Sequence, residues 1–241
     1  MRGTLSLFFQ QYSLPTLFTI LTGYLLGSVN FSIIVTNLYI KKDIRNFGSG
    51  NAGATNVLRS VGKVPALLTF AGDFAKQVAA ILLGKLIFTA MLSQGAVNMD
   101  LILRYSAYLA GISCFLGHIY PVFFHFRGGK GVTTAAAMMA LVDWRVFLIE
   151  LSVFAIVMLC TRIVSLGSVL CGFLYPVTTF CIAYFVDYRQ VLHTSEASYT
   201  LTYVIVATCF AVLIGTIMVV KHRANIIRIL NGTEKPIRSK D

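Results

Sequence analysis

The sequence predicts an all-α integral membrane protein of about seven transmembrane helices, with the N-terminus outside, the C-terminus cytoplasmic and glycine-rich cytoplasmic loops. Two observations lead there. Of the 241 residues, 57% are hydrophobic and 12% charged, with a mean hydropathy of +0.78, far from a soluble balance. The apolar residues also gather into runs near the length of about 20 residues that crosses a bilayer core as a helix. No internal repeat or separate soluble stretch interrupts them, so residues 1–241 are expected to form one membrane-embedded domain.

The runs place helices at roughly 14–38, 64–92, 101–119, 132–141, 145–160, 165–186 and 199–220. The fourth, a Thr/Ala/Met stretch, is too short to cross alone and either joins the following segment or tilts inside the bundle. Lys and Arg set the orientation. Lys41, Lys42, Arg45, Arg59 and Lys63 follow the first helix, Arg127 and Lys130 the third, and Arg162 the fifth. Lys221, Arg223, Arg228, Lys235, Arg238 and Lys240 follow the seventh, against Arg2, Arg145 and Arg189 on the other side. In the first helix Gly23 and Gly27 form a GxxxG pattern, which marks close helix packing. Asp73 and Lys76, three apart in the second, share a face and suit a mutual ion pair. Glu150, inside the fifth, is less easily placed. The five cysteines fall in apolar runs without ligand spacing and read as reduced core or lipid-facing residues. No cleavable signal is evident at the N-terminus, where Gln10 and Gln11 interrupt the run.

The net charge of +11 comes from 20 Lys+Arg against 9 Asp+Glu. Short basic segments between apolar runs fit anionic lipid or an anionic substrate better than nucleic acid, which needs a domain to present them. The densest is 126–133, FRGGKGVT, where Arg127 and Lys130 flank Gly128 and Gly129 and Gly131 follows. Glycine lets backbone N–H groups turn toward an anion, and a helix starting at Val132 would aim its positive end at the same guest. A glycine-rich turn whose charges only set topology is the plainer alternative, though it leaves the three glycines unexplained.

Residues 43–59, DIRNFGSGNAGATNVLR, satisfy GxGxxG through Gly48, Gly50 and Gly53, but no strand of a soluble βαβ unit precedes them. Small, hydroxyl and amide side chains instead suit a tight loop able to hold phosphate. The second segment is not a Walker A loop, since Phe124 stands where its first glycine belongs, and Asp43 and Glu234 are poor support for a magnesium nucleotide. His118 is either a packed hydrogen-bonding residue or a substrate contact. Ser165 and Ser168 open the sixth helix, where serine is ordinarily a cap. In the basic tail, His222 and Asn225 share one helical face.

Together GSGNAGATNVLR, GHIYPVFFHFRGGKGV, SLGS and HRANIIRILNGTE, in that order, resemble the bacterial acyl-phosphate-dependent glycerol-3-phosphate acyltransferase family, PlsY. The resemblance covers nearly the whole chain. Ala52 stands where the family usually has proline, Gln77 where glycine often follows the lysine, His125 where a small residue is common and Arg127 where lysine is usual; the stretch 187–198 also looks long. The resemblance implies acyl transfer from acyl phosphate to the 1-hydroxyl of glycerol 3-phosphate, giving lysophosphatidic acid and phosphate at the cytoplasmic face of a bacterial inner membrane. No metal or cofactor is implied. By the same resemblance Ser49, Arg59 and Lys130 contact phosphate, with Gly48, Gly50, Asn51 and Asn56 in the first loop and Gly128, Gly129 and Gly131 in the second. Ser168, His222 and Asn225 would line the site near the attacking hydroxyl. His222 would orient or deprotonate it unless the substrate's own phosphate takes the proton, Asn225 would support it or the oxyanion, and Glu234 would anchor the tail. A soluble acyl-phosphate-forming enzyme docking on the basic face is a further expected partner. An anion transporter would use the same cations but needs access from both faces and polar groups deep in the bundle. A lipid phosphatase needs a nucleophile or metal cluster.

Overall fold

The computed structural model describes residues 2–92, 98–189 and 200–237. Arg238 and Lys240 of the predicted basic tail, and most of the long stretch after Asp187, lie outside the described residues. Among those described, the chain is helical throughout. α1 (Arg2–Ser28) and α2 (Phe31–Ile40) are followed by α3 (Ala54–Ser60), α4 (Lys63–Met91) and α5 (Met99–Ile119). Next come α6 (Val132–Val142), α7 (Trp144–Thr161) and α8 (Val164–Cys181), which continues as a π-helical stretch over Ile182–Tyr188. α9 (Leu201–Lys221) and α10 (Arg223–Leu230) complete the order.

Among the described residues, six helical stretches are long and apolar enough to span a membrane: Gln11–Ile40, Lys63–Met91, Met99–Phe124, Trp144–Thr161, Val164–Tyr188 and Leu201–Lys221. The fourth of the seven expected spans, α6, has 11 residues. That length rises only about 16 Å, too little to cross a bilayer core by itself. It still leads from the end carrying Lys130 to the end where Arg145 meets Asp187 at 2.7 Å. The predicted first span is also broken. Asn30 caps α2 by accepting from the Ile33 N–H, and Lys76 donates to the carbonyls of Gly27 and Val29 at 3.0 and 2.7 Å. The carbonyls freed by the break are therefore satisfied by a buried ammonium rather than by water.

α5 is the axis of the bundle, with two thirds of its apolar window buried, whereas α7 faces mostly outward. α1 lies against α5 because both are small at the contact. A Cβ on Gly27 would stand 2.1 Å from the Cys114 carbonyl oxygen, and one on Gly117 2.3 Å from that of Tyr24. The GxxxG pattern is thus a packing device, as its spacing predicts. Gly172 of α8 and Gly215 of α9 do the same for the other half. Between the halves, Phe115, Ile119, Ala135, Met138, Ile214 and Met218 form a continuous apolar core. Cys114 and Cys171 are buried, and Cys160, Cys181 and Cys209 lie on the outer surface, all unpaired thiols.

Candidate active site

All four polar segments meet at one end of the bundle, around a cavity of about 330 Å³. The first loop contributes Ser49, Asn51, Asn56 and Arg59, and the second Lys130, Gly131 and Thr133. α8 adds Ser165 and Ser168, and the tail adds His222, Asn225 and Glu234.

The first loop is built around Asn56. Its amide nitrogen donates to the carbonyls of Phe47 and Asn51 at 2.9 and 3.0 Å, while its oxygen accepts from the Ser49 N–H at 3.0 Å. Asn56 touches the cavity, but its amide is committed to the loop, so it shapes the walls rather than offering free donors. Gly48 and Gly50 lie outside the lining and turn the chain at φ +55 and +69. Arg59 donates to the Lys235 carbonyl at 2.8 Å, and its buried Nε has no partner among the described residues. A guanidinium lining a cavity is a natural anion contact.

The second loop departs from the expected amide cradle. The N–H groups of Gly128 and Gly129 donate to the carbonyls of Ile119 and His118, both at 3.2 Å, at the end of α5. They are occupied, and neither glycine lines the cavity. Their role is clearance: a Cβ on Gly128 would sit 2.0 Å from the His118 carbonyl oxygen, and one on Gly129 2.5 Å from that of Ala52. Arg127, expected to supply charge, is exposed and away from the cavity. Its carbonyl, with that of Phe124, accepts from Arg45 at 3.1 and 2.8 Å, which clamps the two loops together. Asp43 holds the other side of Arg45, and that guanidinium keeps the Asp43 carboxyl below its ordinary range. The part of the second loop that lines the cavity begins at Lys130, followed by the open first turn of α6 with Gly131 at its start.

Lys130 donates to the Asn225 side-chain oxygen, and the Asn225 amide donates to Glu234 at 2.7 Å. Glu234 also receives Ser165 at 2.6 Å and Arg228 at 2.6 Å. Burial pushes the Glu234 carboxyl upward, but the hydrogen bonds from Ser165, Asn225 and Arg228 outweigh it and leave it below its ordinary value. Glu234 is therefore the anchor that holds the tail over the site. Burial, with the charges of Arg228 and Arg59 nearby, brings the Lys130 ammonium down to about 8, against the opposing pull of Glu234.

His222 is buried at the turn between α9 and α10, with Nδ1 2.8 Å from the Met218 carbonyl oxygen. A carbonyl only accepts, so Nδ1 carries the proton and Nε2 is left as an acceptor. Burial first, and the charge of Lys130 second, lower its pKa to about 4. The imidazole is neutral at pH 7 and can take a proton. Ser168, buried in the lining of the same cavity, donates back to the Val164 carbonyl at 2.9 Å.

Asp73 pairs with Lys76 at 2.7 Å, as the spacing predicts, yet also lines the cavity, where sequence reasoning did not place it; His118, left open between packing and a substrate contact, lines it too. His118 Nδ1 stands 3.0 Å from Lys76 Nζ, and its Nε2 lies under Gly129. Charges within a span are the signal that could have flagged them. An apolar cavity of about 190 Å³ adjoins the cationic one and shares Phe70, Val132, Thr133, Phe154 and Ser168 with it.

Fold and site together define a multi-pass integral membrane protein with a cationic cavity at one end, opening onto an apolar groove. The family model described as Glycerol-3-phosphate acyltransferase matches residues 17–232. A glycerol-3-phosphate acyltransferase of Thermoanaerobacter pseudethanolicus is 35% identical over 222 residues, 92% of this chain and 96% of that protein. One from Clostridioides difficile is 38% identical over 218 residues, 90% and 93% of the two chains. Two crystal structures of PlsY (YgiH), an integral membrane glycerol 3-phosphate acyltransferase, are each 31% identical to this chain. The glycerol 3-phosphate form superposes with a TM-score of 0.70, covering 92% of this chain and 96% of that one. The lysophosphatidic acid form gives 0.67, covering 93% and 96%. The chain belongs to the glycerol-3-phosphate acyltransferase family.

Proposed function

We propose that this protein transfers an acyl group from acyl phosphate to the 1-hydroxyl of sn-glycerol 3-phosphate, giving lysophosphatidic acid and phosphate, the first committed acylation of bacterial phospholipid synthesis. The observation that carries the reading is the shared wall between the cationic cavity and the apolar groove. A reaction joining a phosphorylated alcohol to a fatty chain needs those two environments in contact. The forms of PlsY named above carry glycerol 3-phosphate and lysophosphatidic acid, an acceptor and a product of this kind.

Acyl phosphate is a mixed anhydride with a good leaving group, so the site has to neutralise, position and move one proton. Arg59, Lys130 and the first turn of α6 face the phosphates, with Ser49 and Asn51 beside them. The acceptor hydroxyl lies near Ser168, and His222 Nε2 takes its proton as the oxygen attacks the acyl carbonyl carbon. The new C–O ester bond forms, the C–O bond to phosphate breaks, and phosphate leaves against Lys130. Asn225 holds the Lys130 ammonium directly and is itself held by Glu234. Gly48, Gly50, Asn56, Gly128 and Gly129 hold the two loops in shape, and Gly131 opens α6.

In this reading α6, tilted within the bundle, serves as a seventh crossing. The N-terminus is then outside, and the C-terminus and active site face the cytoplasm of a multi-pass inner-membrane protein, with residues 1–241 forming one domain. The cytoplasmic basic segments would also meet a soluble acyl-phosphate-forming enzyme. The test is incubation of purified protein with acyl phosphate and glycerol 3-phosphate, following phosphate and lysophosphatidic acid together. Equal yields are expected. Folded protein that forms neither product would sink the proposal.

A further inference from the structure

Acyl transfer as described above leaves one charge without a partner. As the acceptor oxygen attacks, negative charge gathers on the acyl carbonyl oxygen, and a donor already placed beside it lowers the barrier. Asn225, one residue expected to support that oxyanion, is engaged elsewhere. Its oxygen takes Lys130, its amide donates to Glu234, and it lines the cationic cavity but not the apolar groove. The carbonyl carbon is bonded on one side to the phosphate oxygen and on the other to the first methylene. With the phosphate in the cationic cavity and the chain in the groove, it lies at the wall that the two share.

Five residues form that wall: Phe70, Val132, Thr133, Phe154 and Ser168. Three of them have no polar side chain. Ser168 gives its hydroxyl proton to the Val164 carbonyl at 2.9 Å. The neighbouring Thr134, fully buried, likewise folds its hydroxyl back onto the Gly131 carbonyl at 3.0 Å. Thr133 differs from both: it is half-buried, and its hydroxyl has no partner among the described residues yet is not one of their sealed, orphaned oxygens. It stands in the first turn of α6, where its N–H has no intrahelical acceptor, so one residue presents two donors at the wall. Between two phenyl rings and a valine, a hydrogen bond is worth more than in water.

Resting on the acyl-transfer reading above, we propose that Thr133 is a further catalytic residue, whose hydroxyl donates to the acyl carbonyl oxygen as negative charge builds there. The hydroxyl keeps its proton throughout. The acceptor's proton goes to His222; the carbonyl double bond opens onto oxygen and re-forms as the bond to phosphate breaks, and phosphate leaves with the electron pair.

The test measures full-length Thr133→Val, which keeps the branched shape and loses the hydroxyl, with acyl phosphate and glycerol 3-phosphate each varied. Charge on the carbonyl oxygen exists only on the way to product. So kcat and kcat/KM should fall together, by about a hundredfold, with both KM values unchanged. Inorganic phosphate, a product without the carbonyl, should inhibit wild-type and variant protein at the same concentration. Thr133→Ser, which restores the hydroxyl without the methyl, should recover most of the lost rate. Thr133→Ala replaces the valine variant if that one does not fold. Unchanged kcat/KM in the folded variant overturns the inference. So does a raised KM for acyl phosphate with weaker inhibition by phosphate, which places the hydroxyl on the leaving group instead. Wild-type protein that consumes no acyl phosphate overturns the acyl-transfer reading itself, a failure seen before any variant is made.

Discussion

The two glycine-rich loops look interchangeable in composition, yet the folded chain uses their glycines for opposite reasons. In the first, Gly48 and Gly50 adopt positive φ and bend the backbone around the Asn56 amide. In the second, Gly128 and Gly129 sit where the loop is pressed onto the end of α5, and their missing side chains make room for His118 and Ala52. One loop needs conformational freedom and the other needs clearance. Neither pair supplies free N–H groups to the cavity. The lesson is that a glycine cluster beside cations marks a shaped surface, while the donors come from Arg59, Lys130 and the start of α6.

The largest effect should follow loss of a donor. Lys130→Ala removes a half-buried cation that, in the proposed reaction, faces a phosphate, and should lower kcat/KM by about a hundredfold or more in folded protein. Near-normal turnover would move the anion site off the second loop. Gly129→Ala comes next. Its Cβ would meet a backbone oxygen at 2.5 Å. Overpacking of this kind costs about 1–3 kcal/mol, and the loop carrying Lys130 must absorb it. Turnover should drop about tenfold or more. Gly50→Ala should be milder, because the nearest atom to its added Cβ is 3.4 Å away and only the left-handed backbone is penalised. That penalty is about 1–2 kcal/mol, read as a lower unfolding temperature with kcat/KM changed less than in Gly129→Ala. The reverse order for the two alanine variants would show that the second loop yields to the added Cβ, and that clearance is not what Gly129 supplies.

Much of this was readable beforehand, for identifiable physical reasons. Span length and charge placement are averages over many residues, so the long helices and the gathering of four basic segments at one end survive any local surprise. The side chains assigned to the site from motif resemblance, Ser49, Arg59, Lys130, Ser168, His222 and Asn225, all line one cavity. What failed depends on neighbours distant in sequence. Hydropathy does not register the break after Ser28, because the polar groups there are met by Lys76 from another helix. The amides of Gly128 and Gly129 pointed toward an anion in the sequence reading, but the carbonyls that take them belong to α5. Arg127 and Lys130 are alike in sequence, and only packing turns one outward and the other in.

The smallest of these effects, and the one that assigns the loops their electrical roles, is the pH profile. His222 must be neutral to accept the hydroxyl proton, and with its pKa lowered to about 4 it stays so until the solution becomes strongly acidic. Lys130 must be charged to hold phosphate, and with its pKa lowered to about 8 it loses the proton as pH rises through that value. Activity should therefore be flat between about 4 and about 8, and fall on both sides, on the acid side by protonation of the base and on the alkaline side by loss of the cation. Lys130→Arg keeps a charge through the alkaline range and should move that limb upward while leaving the acid limb in place. If kcat/KM measured across pH showed an alkaline limb unchanged in Lys130→Arg, the titrating cation would lie outside the second loop, and the division of labour between the two loops would have to be redrawn.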